Sequence, residues 1–173
     1  QHLRGLVISN MTAGVQAYLK RTDSIKRQLP PKLLAELTAL EQANAYDSPA
    51  YQKIMMEDLY PKMFCRIDPW PEPVTRTFRH ANDKIYNFMQ GKSEFVVTGN
   101  LKDWERWDRL HEIKVNTLTI GARYDEMDPE DMKKMAALMP NAKNAYCPNG
   151  SHLCMWDDQA AYFRQLLAFL STV

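Results

Sequence analysis

The run Val115-Asn-Thr-Leu-Thr-Ile-Gly121-Ala-Arg-Tyr-Asp125-Glu126-Met-Asp128-Pro129-Glu-Asp131 reads as strand, turn and helix in immediate succession. Val115 to Ile120 is apolar and rich in β-branched residues, the composition of a buried strand, and Gly121 ends it. Asp128-Pro129-Glu130-Asp131 starts a helix. An Asp side chain accepts from the free N–H groups of the first turn, proline has no N–H to lose there, and acids suit the positive end of the helix dipole. Met132, Met135, Ala136 and Met139 give that helix an apolar face, and Pro140 stops it. Ala145 to Cys147 is a second short strand, closed by Pro148-Asn149-Gly150. Asp157 or Asp158 caps a last helix, with Phe163, Leu166, Leu167 and Leu170 expected to face the core. Strand, loop and helix, repeated, is the pattern of a parallel α/β sheet.

Upstream, Leu3 to Ser9 is a short Val-Ile-containing run expected as a core strand, ending at Asn10. The stretch that follows reads mostly as helices. Met11 to Leu29 is expected as the first. Pro30-Pro31 opens a second, with Leu33, Leu34, Leu37 and Leu40 on one face. Ser48-Pro49 repeats the start signal ahead of Tyr51, Ile54, Met55 and Leu59. Asp68-Pro-Trp-Pro-Glu-Pro73 is too proline-rich for helix interior and is expected as a loop. Val74 to Gln90 is expected as one helix stopped by Gly91, Glu94 to Thr98 as an extended piece, and Leu101 to His111 as a short helix carrying Trp104 and Trp107. The expected organisation is a core strand over 1–10, a mostly helical segment over 11–110 and an α/β portion over 111–173.

Composition narrows the function classes. The 173 residues carry 22 basic and 21 acidic side chains, a formal net charge of +1. That balance argues against nucleic acid as the main ligand, since such proteins show a basic excess. No apolar run approaches the roughly 20 residues that span a bilayer, so no membrane partner is expected. Cys65, Cys147 and Cys154 have no metal-type spacing; they read as reduced thiols, which points to a cytoplasmic protein. The first residues show no secretory signal pattern. The sequence opens at Gln1 and enters an apolar run almost at once, so it is expected to be part of something longer. A strand at Leu3–Ser9 would then present an open edge, and a companion segment is expected against it.

In an open α/β sheet, ligands sit at the carboxyl ends of the strands. Two loops occupy such places: Gly121 to Met127, and Asn149 to Leu153. An Asp after one strand and a His after the next form the second half of a hydrolase triad in the chain order Ser, Asp, His. The His takes a proton from a nucleophile; the carboxylate fixes its tautomer and stabilises the imidazolium. Asp125 and His152 are the candidates, and each also has a plain reading, as a turn residue and as a surface histidine. A nucleophile elbow of the form Gly-x-Ser-x-Gly needs two glycines four apart. Gly5, Gly14, Gly91, Gly99, Gly121 and Gly150 contain no such pair. No His-Gly-Gly oxyanion loop is present. Cys154, two residues from His152, reads as a packing residue.

Gly121-Ala-Arg-Tyr-Asp125-Glu126 followed by Asn149-Gly-Ser-His152-Leu-Cys-Met-Trp156-Asp-Asp158 resembles the proline iminopeptidase family of α/β-hydrolases. So do Met89-Gln-Gly-Lys-Ser-Glu94-Phe95 and Thr98-Gly-Asn-Leu-Lys-Asp-Trp104. The resemblance runs from His2 to the end and matches the C-terminal half of such an enzyme; Asn116 departs from it, standing where relatives tend to carry proline. It implies an α/β fold, the C-terminal part of an α/β-hydrolase with an inserted helical cap, and a serine aminopeptidase that removes an N-terminal residue, preferably proline. Asp125 would be the triad acid and His152 the base, with the serine supplied by an N-terminal portion of the same enzyme. Glu94 and Glu126 would grip the substrate's free amino group, because a carboxylate pair in a dry pocket makes charge-assisted bonds to an ammonium. Tyr86 and Trp156 could wall a pyrrolidine pocket or simply pack in the core. No metal or cofactor is implied. Plain readings stand beside these: Glu94 as a solvated charge, Glu126 as a helix-dipole partner, His80 and His111 as surface residues. An amino-acid amidase or esterase on the same scaffold, or a non-catalytic binding domain, would use the same framework.

Overall fold

The computed structural model describes residues 2–173; Gln1 lies outside the described residues. Strand β1 (Leu6–Ser9) comes first. It starts later than the apolar run suggests, and Leu3 is exposed. Six helices follow: α1 (Val15–Lys26), α2 (Pro31–Gln42), α3 (Pro49–Ile54), α4 (Tyr60–Met63), α5 (Glu72–Arg79) and α6 (Asp83–Met89). A π-helical turn, Met55–Leu59, joins α3 to α4, and a 3₁₀ turn, Trp107–Glu112, leads into β2 (Thr117–Ala122). Then come α7 (Pro129–Leu138), β3 (Ala142–Cys147), α8 (Cys154–Asp157) and α9 (Gln159–Leu170).

The sheet order is β1-β2-β3, all parallel, with Leu6 opposite Thr117 and Thr117 opposite Ala142. Every residue of β2 is buried, as expected for a central strand with neighbours on both edges and helices on its faces. It runs through Gly121 to Ala122. A Cβ at Gly121 would come within 3.1 Å of Pro129 Cα and Met132 Cγ, so the glycine lets α7 lie close on the strand. Asn116 stands just ahead of β2, and its carbonyl accepts from Leu6 N. Asp128 caps α7 through Glu130 N, and Met132, Met135, Ala136 and Met139 are buried as the periodicity predicts. Between β1 and β2 the helices enclose a core of their own, built on Leu37, Tyr51, Ile54, Leu59 and Met63.

Several expectations need correction. Helix α1 begins at Val15, not Met11, because Thr12 Oγ1 bonds locally to Gly14 and competes with the helical pattern. Val74 to Gln90 is two helices. The first already begins at Glu72, and the second restarts where the Asn82 side chain accepts from Ile85 N. Glu94 to Thr98 forms no strand; Ser93 Oγ instead accepts from Phe95 N. Trp104 precedes the 3₁₀ turn, and its carbonyl takes Val15 N. In α9 only Leu166 of the four expected residues packs on the core. Phe163, Leu167 and Leu170 are exposed, whereas Tyr162 and Phe169 are buried and Leu166 and Val173 pack beside them. Both sets repeat at helical spacing, and contact with the sheet selects the second.

Candidate active site

The loops after β2 and β3 are laced together. Arg123 N donates to Cys147 O and Tyr124 N to Gly150 O. Gly150 sits where a Cβ would lie 2.5 Å from Cys154 Cβ, so only glycine lets the chain pass. Beyond it, the helical segment takes hold of the loop. His152 N donates to Met63 O at 2.8 Å and Leu153 N to Phe64 O at 2.9 Å, both carbonyls at the end of α4. Ser151 Oγ also donates to Phe64 O, and Ser151 N donates to Asp157 Oδ1.

This brings His152 Nδ1 within 3.0 Å of Asp125 Oδ1. Asp125 is fully buried and well supplied with donors: Met127 N reaches Oδ1, and Asn10 Nδ2 reaches Oδ2. Glu126 Oε1 stands 3.0 Å from the same His152 Nδ1. The Phe64 ring stacks on the imidazole, centroids 5.4 Å apart and planes 22° apart. With Nδ1 turned to the acids, Nε2 is the nitrogen free for proton transfer.

A cavity of about 180 Å³ opens beside His152, lined also by Glu94, Glu126, Tyr86, Tyr18 and Trp104. Glu126 is 1% exposed. The Oε2 atoms of Glu94 and Glu126 are both sealed from solvent and have no hydrogen-bond partner. Burial raises the Glu94 pKa, with the Tyr60 hydroxyl and His152 pulling the other way. Burial also lifts Glu126 well above the usual carboxylate range; Asp125 and Glu94 add to this and His152 opposes it. For His152, burial disfavours the charged ring, but Glu126, Asp125 and Glu94 outweigh it and push the pKa up to about 10. Two buried carboxyls, both harder to ionise than usual, thus stand beside a histidine whose proton they help to hold. A second cavity of about 280 Å³, lined by Tyr51, Tyr60, Phe64 and Phe78, shares Tyr86 and Glu94 with the first.

Of the residues singled out from sequence, Asp125, His152, Glu94, Glu126 and Tyr86 converge on this site. Trp156 is half-buried on α8 and is not among the residues lining either cavity. His80 and His111 are exposed. All three cysteines are free and buried, and Cys154 donates its thiol to Asn10 Oδ1. Sequence reasoning passed over Asn10 and Phe64. Asn10 carried one available signal, an Asn closing a strand, where a positive φ is tolerated. Phe64 carried none. Asp125, Glu126 and His152 each offer one ligand atom within 4.8 Å of one another, a geometry that can hold a metal ion, although one would compete for the Nδ1 that Asp125 engages. No helix among the described residues is long and apolar enough to cross a membrane.

Similarity to known proteins agrees with this geometry. No protein-family model matches the chain. The proline iminopeptidase of Flavobacterium johnsoniae is 40% identical over 174 residues, and that of Elizabethkingia meningoseptica 39% over 175; each match takes in all of this chain and 59% of the relative. Among solved structures, VinJ superposes with a TM-score of 0.91 at 30% identity, over 98% of this chain and 58% of that one. The Mycobacterium smegmatis proline iminopeptidase gives 0.86 at 26%, over 98% and 57%. A parallel sheet with a helical insertion, and an Asp–His pair on successive strand ends, define the chain as the C-terminal part of an α/β-hydrolase. Within that class it is similar to the proline iminopeptidases, and it spans about 59% of the length of the curated relatives it matches.

Proposed function

We propose that this chain supplies the acid, the base and the amino-group clamp of a serine aminopeptidase that prefers N-terminal proline. Residues 11–110 form the cap over the site, and residues 1–10 and 111–173 belong to the hydrolase core. The nucleophilic serine comes from polypeptide outside these residues, in the part of the relatives that this chain does not span. His152 Nε2 takes the serine proton as Oγ attacks the first carbonyl carbon, then gives it to the departing amine. Water, deprotonated by the same nitrogen, releases the amino acid from the acyl-enzyme. Asp125 holds the ring tautomer and stabilises the imidazolium.

The reading rests on the two unpartnered carboxylate oxygens of Glu94 and Glu126 in the cavity that His152 also lines. A buried carboxylate without a donor is costly, and a substrate ammonium supplies the missing donors. An acylated amine brings neither charge nor enough N–H groups and is rejected. The test compares proline amide with its N-acetyl form on the intact protein. The free amine should turn over at least about a hundredfold faster, the scale of an unpaired buried polar group. Equal rates would point to an esterase or amidase without an amino clamp. Turnover unchanged by His152→Ala would leave only a binding domain.

A further inference from the structure

At the end of β1, Asn10 has a φ of 51°, one of two non-glycine residues among the described ones in the left-handed region. Its main chain still belongs to the sheet, with N–H donating to Ile120 O at 2.9 Å. The left-handed turn directs the chain away toward α1 while the side chain stays in the interior, where the residue is 6% exposed. Within that interior the amide meets four partners. Nδ2 donates to Asp125 Oδ2 at 2.5 Å and to Ser151 O at 3.3 Å. Oδ1 accepts from Ser9 Oγ at 2.6 Å and from Cys154 Sγ at 3.2 Å.

A primary amide has two N–H donors and two acceptor lone pairs, so this side chain is fully satisfied. Its orientation is also determined. Turned over, it would set a carbonyl oxygen against the Asp125 carboxylate and an NH₂ group against a hydroxyl and a thiol. The partners join three separate places: Asp125 on the loop after β2, the Ser151 carbonyl one residue ahead of His152, and Cys154 at the start of α8. One amide therefore ties the acid loop to the histidine loop. It also supplies the donor to the Asp125 oxygen that His152 leaves unused.

We infer that Asn10 is a positioning residue of the triad, fixing the rotation of the Asp125 carboxyl group and so setting the Asp125–His152 bond. This rests on the hydrolase reading of the Asp125–His152 pair. Asn10 touches no reacting atom. It acts through Asp125, as outer-shell partners of catalytic groups do, where removal costs on the order of ten- to a hundredfold in activity.

Two variants of the intact protein test this. Asn10→Asp keeps the shape and the acceptor toward Ser9 and Cys154 but turns the donor facing Asp125 into an acceptor, so the two carboxyls must share a proton. Asn10→Gly keeps the positive φ and removes the amide. Both should lower kcat by about tenfold or more with KM changed less than twofold. Both should shift the His152 Nδ1 proton upfield in ¹⁵N-histidine NMR, as its charge-assisted bond weakens. The NMR readout needs no substrate, so it judges Asn10 even if proline amide proves not to be the substrate. An unmoved Nδ1 proton in folded Asn10→Asp would overturn the inference. So would a kcat loss in both variants that merely follows the fraction unfolded.

Discussion

Glu126 Oε1 lies as close to His152 Nδ1 as Asp125 Oδ1 does, 3.0 Å in each case. One N–H therefore faces two carboxylates, while the second Glu126 oxygen has no partner. Asp125 is already held by Asn10 and Met127, so Glu126 is the acid free to turn toward a ligand. Glu126→Gln removes one of the charges holding a proton on the ring. The His152 pKa should fall from about 10 toward the ordinary histidine range, as read from an NMR titration of the imidazole. The same variant should lose the preference for free amines over acylated ones.

A general base must be neutral to accept a proton, yet Glu126, Asp125 and Glu94 push the His152 pKa up to about 10. An ammonium between Glu94 and Glu126 would cancel the charges that raise it. The acidic limb of kcat, which reports the bound enzyme, should then lie at lower pH than that of kcat/KM, which reports the free enzyme. Coincident limbs for proline amide would show that the amino group does not reach these carboxylates.

Stability should follow the same charges. His152 has its pKa raised on folding, so its contribution is complete below the unfolded histidine value near about 6.5 and is lost as pH climbs toward about 10. Glu94 and Glu126 are raised too, so ionising them costs the folded state above the ordinary carboxylate range. All three act in one direction. Urea midpoints of the intact protein should fall from pH 6 to pH 10, and less steeply in Glu126→Gln.

Phe64 packs against Tyr60, Trp70, Phe78 and the His152 ring, and its carbonyl anchors the histidine loop. Phe64→Ala keeps the carbonyl but empties the aromatic cluster. It should cost about 2 kcal/mol in urea unfolding, below the range for fully buried phenylalanines because this one is half-buried.

Gly150→Ala should be damaging in a different way. The added carbon meets Cys154 Cβ, Cys147 Cβ and Asp158 Cβ, none of which lies at the end of a flexible chain. The loop must shift, so kcat should fall by more than the loss of folded protein explains, in assays corrected by near-UV circular dichroism.

The parallel sheet was legible because β2 is buried along its whole length and is therefore built from apolar, small and β-branched residues, without a charge. The cap of α7 was legible because Asp128 bonds within its own turn. The exposed face of α9 was not: Tyr162–Leu166–Phe169 and Phe163–Leu167–Leu170 are equivalent as spacings, and only the sheet distinguishes them. In the site, Asp125 and His152 follow from strand ends, whereas Glu94 and Glu126 required the family resemblance. Asn10 lies 115 residues from Asp125, beyond the reach of any local pattern. Trp156, close to His152 in sequence, is half-buried on α8 and lines neither cavity, which fits the packing alternative of its two readings.

The grip of α4 on residues 152 and 153 bears on how such enzymes diverge. Met63 and Phe64 offer their carbonyls to a loop almost ninety positions away in the chain, so the helical segment and the histidine loop share a seam of peptide groups. Grafting a foreign helical segment onto this scaffold to alter selectivity would orphan two amides beside the histidine unless the donor brings carbonyls in matching register. Chimaeras that exchange the segment between α2 and α6 while keeping residues 60–64 native should be the ones that keep their chemistry.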